Sequence, residues 1–386
     1  MASRFAFARI RNVGLDSEAA VTRHAVVIPA LLAACMIVVG YSIATVAGVD
    51  GTQLIWPYLK AGMSISIVCI IFYVFQSFAR LALKLAENPV DRVLADLRAK
   101  APMFLLPAVV FPLFLCGFTT AKTSIPFIVG YRWDAFWADI DLFIFGDDAW
   151  RFTHDILGFQ YVHLWEWFYG TVWGTVLVLY KANVPIYASA RRAGIIYTSM
   201  LLTWFVGGWF MAYAMSAAGP IFAHLADASL AERFAPMRAA LDANLHPESS
   251  IKWTQSYLAQ AINLPISSKG GGISAFPSMH MGAVSIYVLS ARGTRWLIPA
   301  IALWVMTFIG SAYFGYHYWI DGIVAALVAW GAWKVAEACF QDEQPIGPGD
   351  RRGRRAFTAI VKLPELLRPT HIGVRILKRD SESTQR

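Results

Sequence analysis

Eight apolar runs dominate the chain, at about 25–48, 62–85, 102–120, 160–181, 194–217, 277–292, 296–315 and 317–339. Most are long enough to cross a hydrocarbon core as a helix, for which about 20 residues suffice. The sixth and seventh are the shortest, and only a turn around Gly315 parts the seventh from the eighth. Lipid leaves a backbone N–H or C=O without a partner, so a spanning segment of this kind must satisfy its own backbone as a helix. The sequence therefore predicts an all-α polytopic membrane helical bundle of about eight transmembrane helices. Charged residues make up only 15% of the 386 residues, against about a quarter in soluble proteins.

The net charge of +8 suggests nucleic acid until its distribution is read. With the N-terminus inside, Arg23, Arg92, Arg98, Lys100, Lys181, Arg191, Arg192, Arg292 and Arg295 fall on the inner side, together with the basic tail around "RRGRR" (351–355). The longer outer segments carry fewer cations. This asymmetry predicts cytoplasmic termini, an integral inner or plasma membrane protein and no nucleic-acid partner. The run after Val26 is too long for a signal-peptide core and reads as an uncleaved first helix. Cys35, Cys69, Cys116 and Cys339 sit in or beside apolar runs without metal-ligand spacing, so they read as small buried hydrophobes. Three regions follow: an N-terminal transmembrane hairpin (1–100), a catalytic six-helix core (101–340) and a basic cytoplasmic tail (341–386). Within the core, the segment 134–152 has the pattern of an outer interfacial helix, and 218–275 is a long outer loop able to serve as a lid or partner surface.

Two polar interruptions break the pattern. "GGGISAFPSMHMGAV" (270–284) opens the sixth span and "GSAYFGYHYWIDGIVAA" (310–326) opens the eighth. Under the topology above, His280 and His317 meet the same membrane face at the same depth. Asp321 lies four residues after His317, so the two share a helix face and the carboxylate can orient the imidazole. Gly271 and Gly272 allow close backbone approach, while Ser274 or Ser278 can cap a helix whose free N–H groups face an incoming anion. Each feature alone has a bland explanation, since an interfacial histidine is common and a Gly-rich stretch without a Lys-Ser/Thr pair is weak. Their conjunction points to phosphoryl transfer, because ionisable groups at membrane depth carry function by default.

The pair "FPSMH" (276–280) and "YHYWID" (316–321) resembles the second and third motifs of the type 2 phosphatidic acid phosphatase superfamily. The closer likeness is to its inositolphosphotransferase-like branch, which contains inositolphosphorylceramide synthases. "TSIPFIVGYRWDAFWADIDLFIFG" (123–146) also resembles a segment of that branch. The resemblance covers roughly residues 100–340. It implies that His317 is the nucleophile and forms a phosphohistidine, that Asp321 orients it, and that His280 is the general acid and then base. It further implies that Ser278 and nearby N–H groups bind phosphate, with no cofactor and no metal.

The chain departs from the family pattern at two cations. No Lys-x6-Arg-Pro motif is present, and "SAAGPIF" (216–222) with Pro220 occupies its place; Ser311 stands where an arginine usually precedes the third-motif histidine. Lys269, Lys122 and Arg132 are candidate replacements, with Lys269 nearest in sequence. Fewer fixed cations suit a singly charged phosphodiester better than a dianionic monoester. The expected reaction is transfer of a phospho-headgroup from a lipid donor to a lipid alcohol at the outer leaflet. Hydrolysis of a lipid or polyprenyl phosphate, with water as acceptor, is the alternative, and a non-catalytic lipid transporter on the same fold is the second. His163 and Glu166 form a further candidate substrate-binding pair. Asp134, Asp139 and Asp141 read as the solvated face of the interfacial helix, and His224 and His246 receive no role.

Overall fold

Capping groups stop and start the helices where the apolar runs end. Ser189 accepts the Arg192 N–H at 3.3 Å, Ser249 accepts the Ile251 N–H at 3.1 Å, and Ser278 accepts the Met281 N–H at 3.4 Å. Each satisfies a donor that the first turn of its helix would leave unpaired. The structure, a computed structural model, describes residues 2–84 and 88–341, with side chains from Ala20 onward. The basic tail beyond Gln341, and the side chains of Arg4, Arg9 and Arg11, lie outside the described residues.

The principal helices are α1 (Ala2–Ala47), α2 (Ile55–Leu83), α3 (Pro89–Lys100), α4 (Phe111–Thr123), α5 (Asp134–Phe145), α6 (Ala149–Leu157), α7 (Trp173–Tyr187), α8 (Ala190–Thr203), α9 (Ala231–Asn244), α10 (Ser250–Ala261), α11 (Met279–Ala291), α12 (Leu297–Tyr313) and α13 (Trp319–Cys339). Among the described residues, five helical stretches are long and apolar enough to cross a membrane: Ala20–Ala47, Thr52–Leu83, Pro89–Ile128, Ala190–Ala214 and Trp319–Cys339. Helices α11 and α12 are apolar but shorter, and helical residues 162–187 run up to and through α7. The chain is an all-α membrane bundle, and the described residues contain no strand.

The apolar core between helices runs from Phe114 and Phe118 of α4 through Tyr197, Met200 and Leu201 of α8 to Met281, Val284 and Ile286 of α11 and Ala325 and Ala329 of α13. Helix α1 packs on α4 and α8, so the expected N-terminal hairpin is part of the same unit that extends to Phe340. Glycine makes this approach possible. A Cβ on Gly117 would collide with the Met36 carbonyl, and one on Gly40 with the Gly117 carbonyl. Close backbone contact of this kind drives helix association in lipid, where burial of apolar surface gives little advantage.

The segment 134–152 is two helices rather than one, because Gly146 turns the chain between α5 and α6. Phe143 and Ile144 are exposed on α5, consistent with a helix at an interface. The expected solvated acidic face is corrected in part. Asp134 and Asp141 are 2% and 1% exposed, because residues seven apart share one helix face and that face turns into the protein. Asp139 lies on the other side and pairs with Arg233 at 2.8 Å. The long segment after Ala218 folds into α9 and α10, which pack over a second apolar cluster with Phe222, Phe276 and Phe314.

Gly117→Val should lower the stability of the bundle by about 1–3 kcal/mol through overpacking. The check is thermal unfolding in detergent micelles, where a melting temperature equal to wild type would show that α1 and α4 do not meet in this way.

Candidate active site

Two segments 42 residues apart are joined at the site by one hydrogen bond. His317 Nδ1 lies 2.7 Å from the Ala275 carbonyl oxygen. A carbonyl can only accept, so Nδ1 carries the proton and Nε2 keeps its lone pair. The Ala275 carbonyl is itself fixed, since the Ala275 N–H donates to Ala217 O at 2.8 Å. Asp321 Oδ2 stands 3.6 Å from the same Nδ1, beyond hydrogen-bond length. It accepts instead from the Tyr318 N–H at 2.9 Å and caps the first turn of α13. The orienting bond expected from Asp321 is thus made by Ala275, and Asp321 places a buried carboxyl group behind the ring. Its Oδ1 has no partner.

His280, in the first turn of α11, meets His317 edge to face with ring centroids 5.6 Å apart. Its other sides are aromatic. Tyr169 stacks on it at 5.1 Å, Trp173 lies at 4.1 Å, and Trp173 Nε1 donates to the His280 carbonyl at 3.4 Å. No carboxylate forms an ion pair with His280 among the described residues. Lys122, at the end of α4, is half-buried and within electrostatic range of both imidazoles. It forms no ion pair among the described residues. Gly272 presses on it: with φ of 76°, a Cβ there would meet the Lys122 carbonyl carbon and the Thr123 nitrogen at 2.9 Å.

The remaining candidates divide. Ser278 is buried and caps α11, and its N–H donates to Asp321 O at 3.2 Å. The Gly271 N–H closes a turn onto Ser268 O at 2.8 Å. Ser311 is buried with its hydroxyl donated to Phe308 O at 2.7 Å, while its carbonyl accepts the His317 N–H at 3.3 Å, so it supports the segment that carries His317. Pro220 lies in a buried turn next to Gly219, whose φ is 90° and where a Cβ would strike the Tyr316 carbonyl. Lys269 and Arg132 are exposed. His163 is exposed and 4.0 Å from Glu166. Glu166 accepts from the Ser250 N–H at 2.6 Å and from the hydroxyls of Ser249 and Ser250, so it caps α10. Among the described residues no cluster of His, Cys, Asp and Glu could hold a metal ion.

Helix α5 supplies two acids that the sequence pattern places on a solvated face. Asp134 accepts the Ala218 and Gly219 N–H groups, each at 2.8 Å, and the Tyr318 hydroxyl at 3.0 Å. Asp141 accepts the Trp319 and Ile320 N–H groups at 2.8 and 2.9 Å. Trp137, between them, stacks on Phe276 at 3.8 Å. One helix face therefore grips the residues following His317, the turn holding Pro220, and the residue before Pro277. Burial raises the pKa of Asp134, opposed by these hydrogen bonds. Burial pushes Asp141 up to about 7, against its two N–H donors. The spacing of seven was the available signal, and it was outweighed by the usual reading of Asp beside Trp at an interface.

Residues 158–335 match the family model described as PAP2 superfamily. No curated protein and no solved structure matches the chain.

The Asp141 carboxyl is favoured in its neutral form by folding, so its contribution is fully present below the unfolded value, about 4, and is lost as pH rises through about 7. Asp141→Asn, fixed as neutral, lacks this slope. Its melting temperature should therefore gain on wild type as pH rises from about 4 to 8, and a pH-independent difference would contradict the assignment.

Proposed function

We propose that this protein is a membrane lipid phosphotransfer enzyme that works through a phosphohistidine on His317. The observation that carries the reading is the His317 Nδ1 bond to the Ala275 carbonyl, which leaves Nε2 as a lone-pair nucleophile beside a second histidine. Nε2 attacks phosphorus, the bond from phosphorus to the leaving oxygen breaks, and His280 gives that oxygen its proton. In the second half, the acceptor hydroxyl returns a proton to His280, its oxygen attacks phosphorus, and the P–N bond breaks. Asp321 stabilises the positive charge that His317 gains on forming the phosphohistidine.

The favoured substrate is a lipid phosphodiester and the favoured acceptor a lipid alcohol. Lys122 is the cation within range of both histidines, and a single positive charge matches the single negative charge of a diester. Water in the acceptor position would make the same intermediate a hydrolase, and the superfamily match supports both activities. The distribution of basic residues supports cytoplasmic termini and an outer or periplasmic face for the two histidines, where a lipid headgroup can reach them.

His317→Ala should lower turnover at least about 1,000-fold and abolish acid-labile 32P on the protein, and His280→Ala should lower it about 100- to 10,000-fold. Supplying a labelled phosphodiester lipid with and without a lipid alcohol separates the versions. A new labelled lipid that requires the alcohol supports transfer, whereas free phosphate from a monoester with no new lipid would replace it by hydrolysis. Full activity in both histidine variants would remove the catalytic reading altogether.

Lys122→Met should cost about 10- to 100-fold in kcat/KM, the range for a hydrogen bond to a charged group. Steady-state kinetics on the diester checks this, and an unchanged value would assign phosphate binding to other groups.

A further inference from the structure

Helices α9 and α10, with the short turn Ala223–Ala226, line an open cavity of about 180 Å³. That is about six water volumes, too small for a hydrocarbon tail and large enough for a polar headgroup. Phe222, His224, Arg238, Asp242, Gln255 and Ser256 line it. Arg238 is anchored by one arm, its Nη2 donating to Ala231 O at 2.7 Å. Its Nη1 is buried with no partner, and so is Nδ1 of His224. Two unpaired buried nitrogens from different elements in one cavity is an unfavourable arrangement, since buried polar groups are ordinarily hydrogen-bonded.

The charges facing the cavity are few. Asp242 stands at the rim, 78% exposed, and is already matched by Lys252, whose Nζ lies 3.7 Å from its Oδ1 and donates to its carbonyl at 2.8 Å. Burial and then the Arg238 charge push His224 below its usual pKa, with the Ile221 carbonyl opposing them. His224 is therefore neutral at physiological pH and serves as a hydrogen-bonding group. The uncompensated charge on the cavity is that of Arg238. Its inner wall is the segment that leads into His317: the Ile221 N–H donates to Gly315 O at 2.8 Å, and Gln255 Nε2 to Phe314 O at 3.4 Å.

The geometry points to a second binding site here, separate from the histidine pair, for a singly charged oxyanion carried on a small polar headgroup, held by Arg238 with His224, Gln255 and Ser256. A guanidinium with one free arm is suited to such an oxygen pair. The anion can come from a lipid in the outer leaflet or from solution.

The test uses the full chain in phosphatidylcholine nanodiscs, carrying His317→Ala so that nothing turns over and the outcome is independent of the proposed chemistry. Glycerophosphoglycerol, a soluble phosphodiester, is titrated by calorimetry. Saturable binding is expected, weakened about tenfold or more by Arg238→Ala. Gln255→Glu, which adds a negative charge to the lining and keeps the arginine, should weaken it similarly and decides the matter if Arg238→Ala does not fold. Adding phosphatidylglycerol separates the sources: competition with the probe assigns the site to a lipid headgroup, and undiminished binding to a soluble anion. No saturable binding, or wild-type affinity in a folded Arg238→Ala protein, overturns the proposal.

Discussion

The site depends on one carbonyl being held still. Ala275 O accepts from His317 Nδ1 and thereby decides which nitrogen of that imidazole is free. That carbonyl is held in turn by the Ala275 N–H on Ala217 O, and the next two N–H groups, of Ala218 and Gly219, end on Asp134. Asp134 also accepts the hydroxyl of Tyr318, the residue directly after His317. A single buried carboxylate thus spans three segments far apart in sequence. Each bond is ordinary, but none can be lost alone without leaving a buried polar group unpaired, which is what gives a network of this kind its rigidity.

Much of this was legible in the sequence because it rests on local signals. Hydropathy gave the helices, and the pair PSxH and HxxxD marked the two histidines that the fold brings within 5.6 Å. What escaped depends on which way a face turns. Asp134 and Asp141 lie among Trp and Phe, a pattern shared by solvated interfacial helices and by helices that grip a loop through buried acids. Only the position of α5 against residues 218–219 and 318–320 separates the two. The same holds for Lys122 and Lys269. Lys269 is nearer to His280 in sequence, yet it is exposed, while the positive φ of Gly272 lays the glycine loop against Lys122. Asp321 also shows the limit of spacing. Four residues put it on the right face, but the capping bond from the Tyr318 N–H takes the oxygen nearest the ring.

The missing arginines have a structural counterpart. Where the family pattern has an arginine before its proline, this chain has Gly219, and its N–H is committed to Asp134. Where the pattern has an arginine six residues before the nucleophile, Ser311 returns its hydroxyl to its own helix and offers its carbonyl to the His317 N–H. Both positions hold the backbone rather than a ligand.

The outer cap is tied to the same loops by separate bonds. Ile221 and Gln255 attach it to the Gly315 and Phe314 carbonyls, just before His317. Glu166 ties α10 to the helical stretch that carries Tyr169 and Trp173, the two rings against His280. The cap therefore reaches the residues just before His317 on one side and the stretch that packs on His280 on the other. A ligand in the cap can shift the chemistry only by as much as it prefers one arrangement of these loops over another. With both histidines attached to the same body, any such preference would be felt at the two imidazoles together.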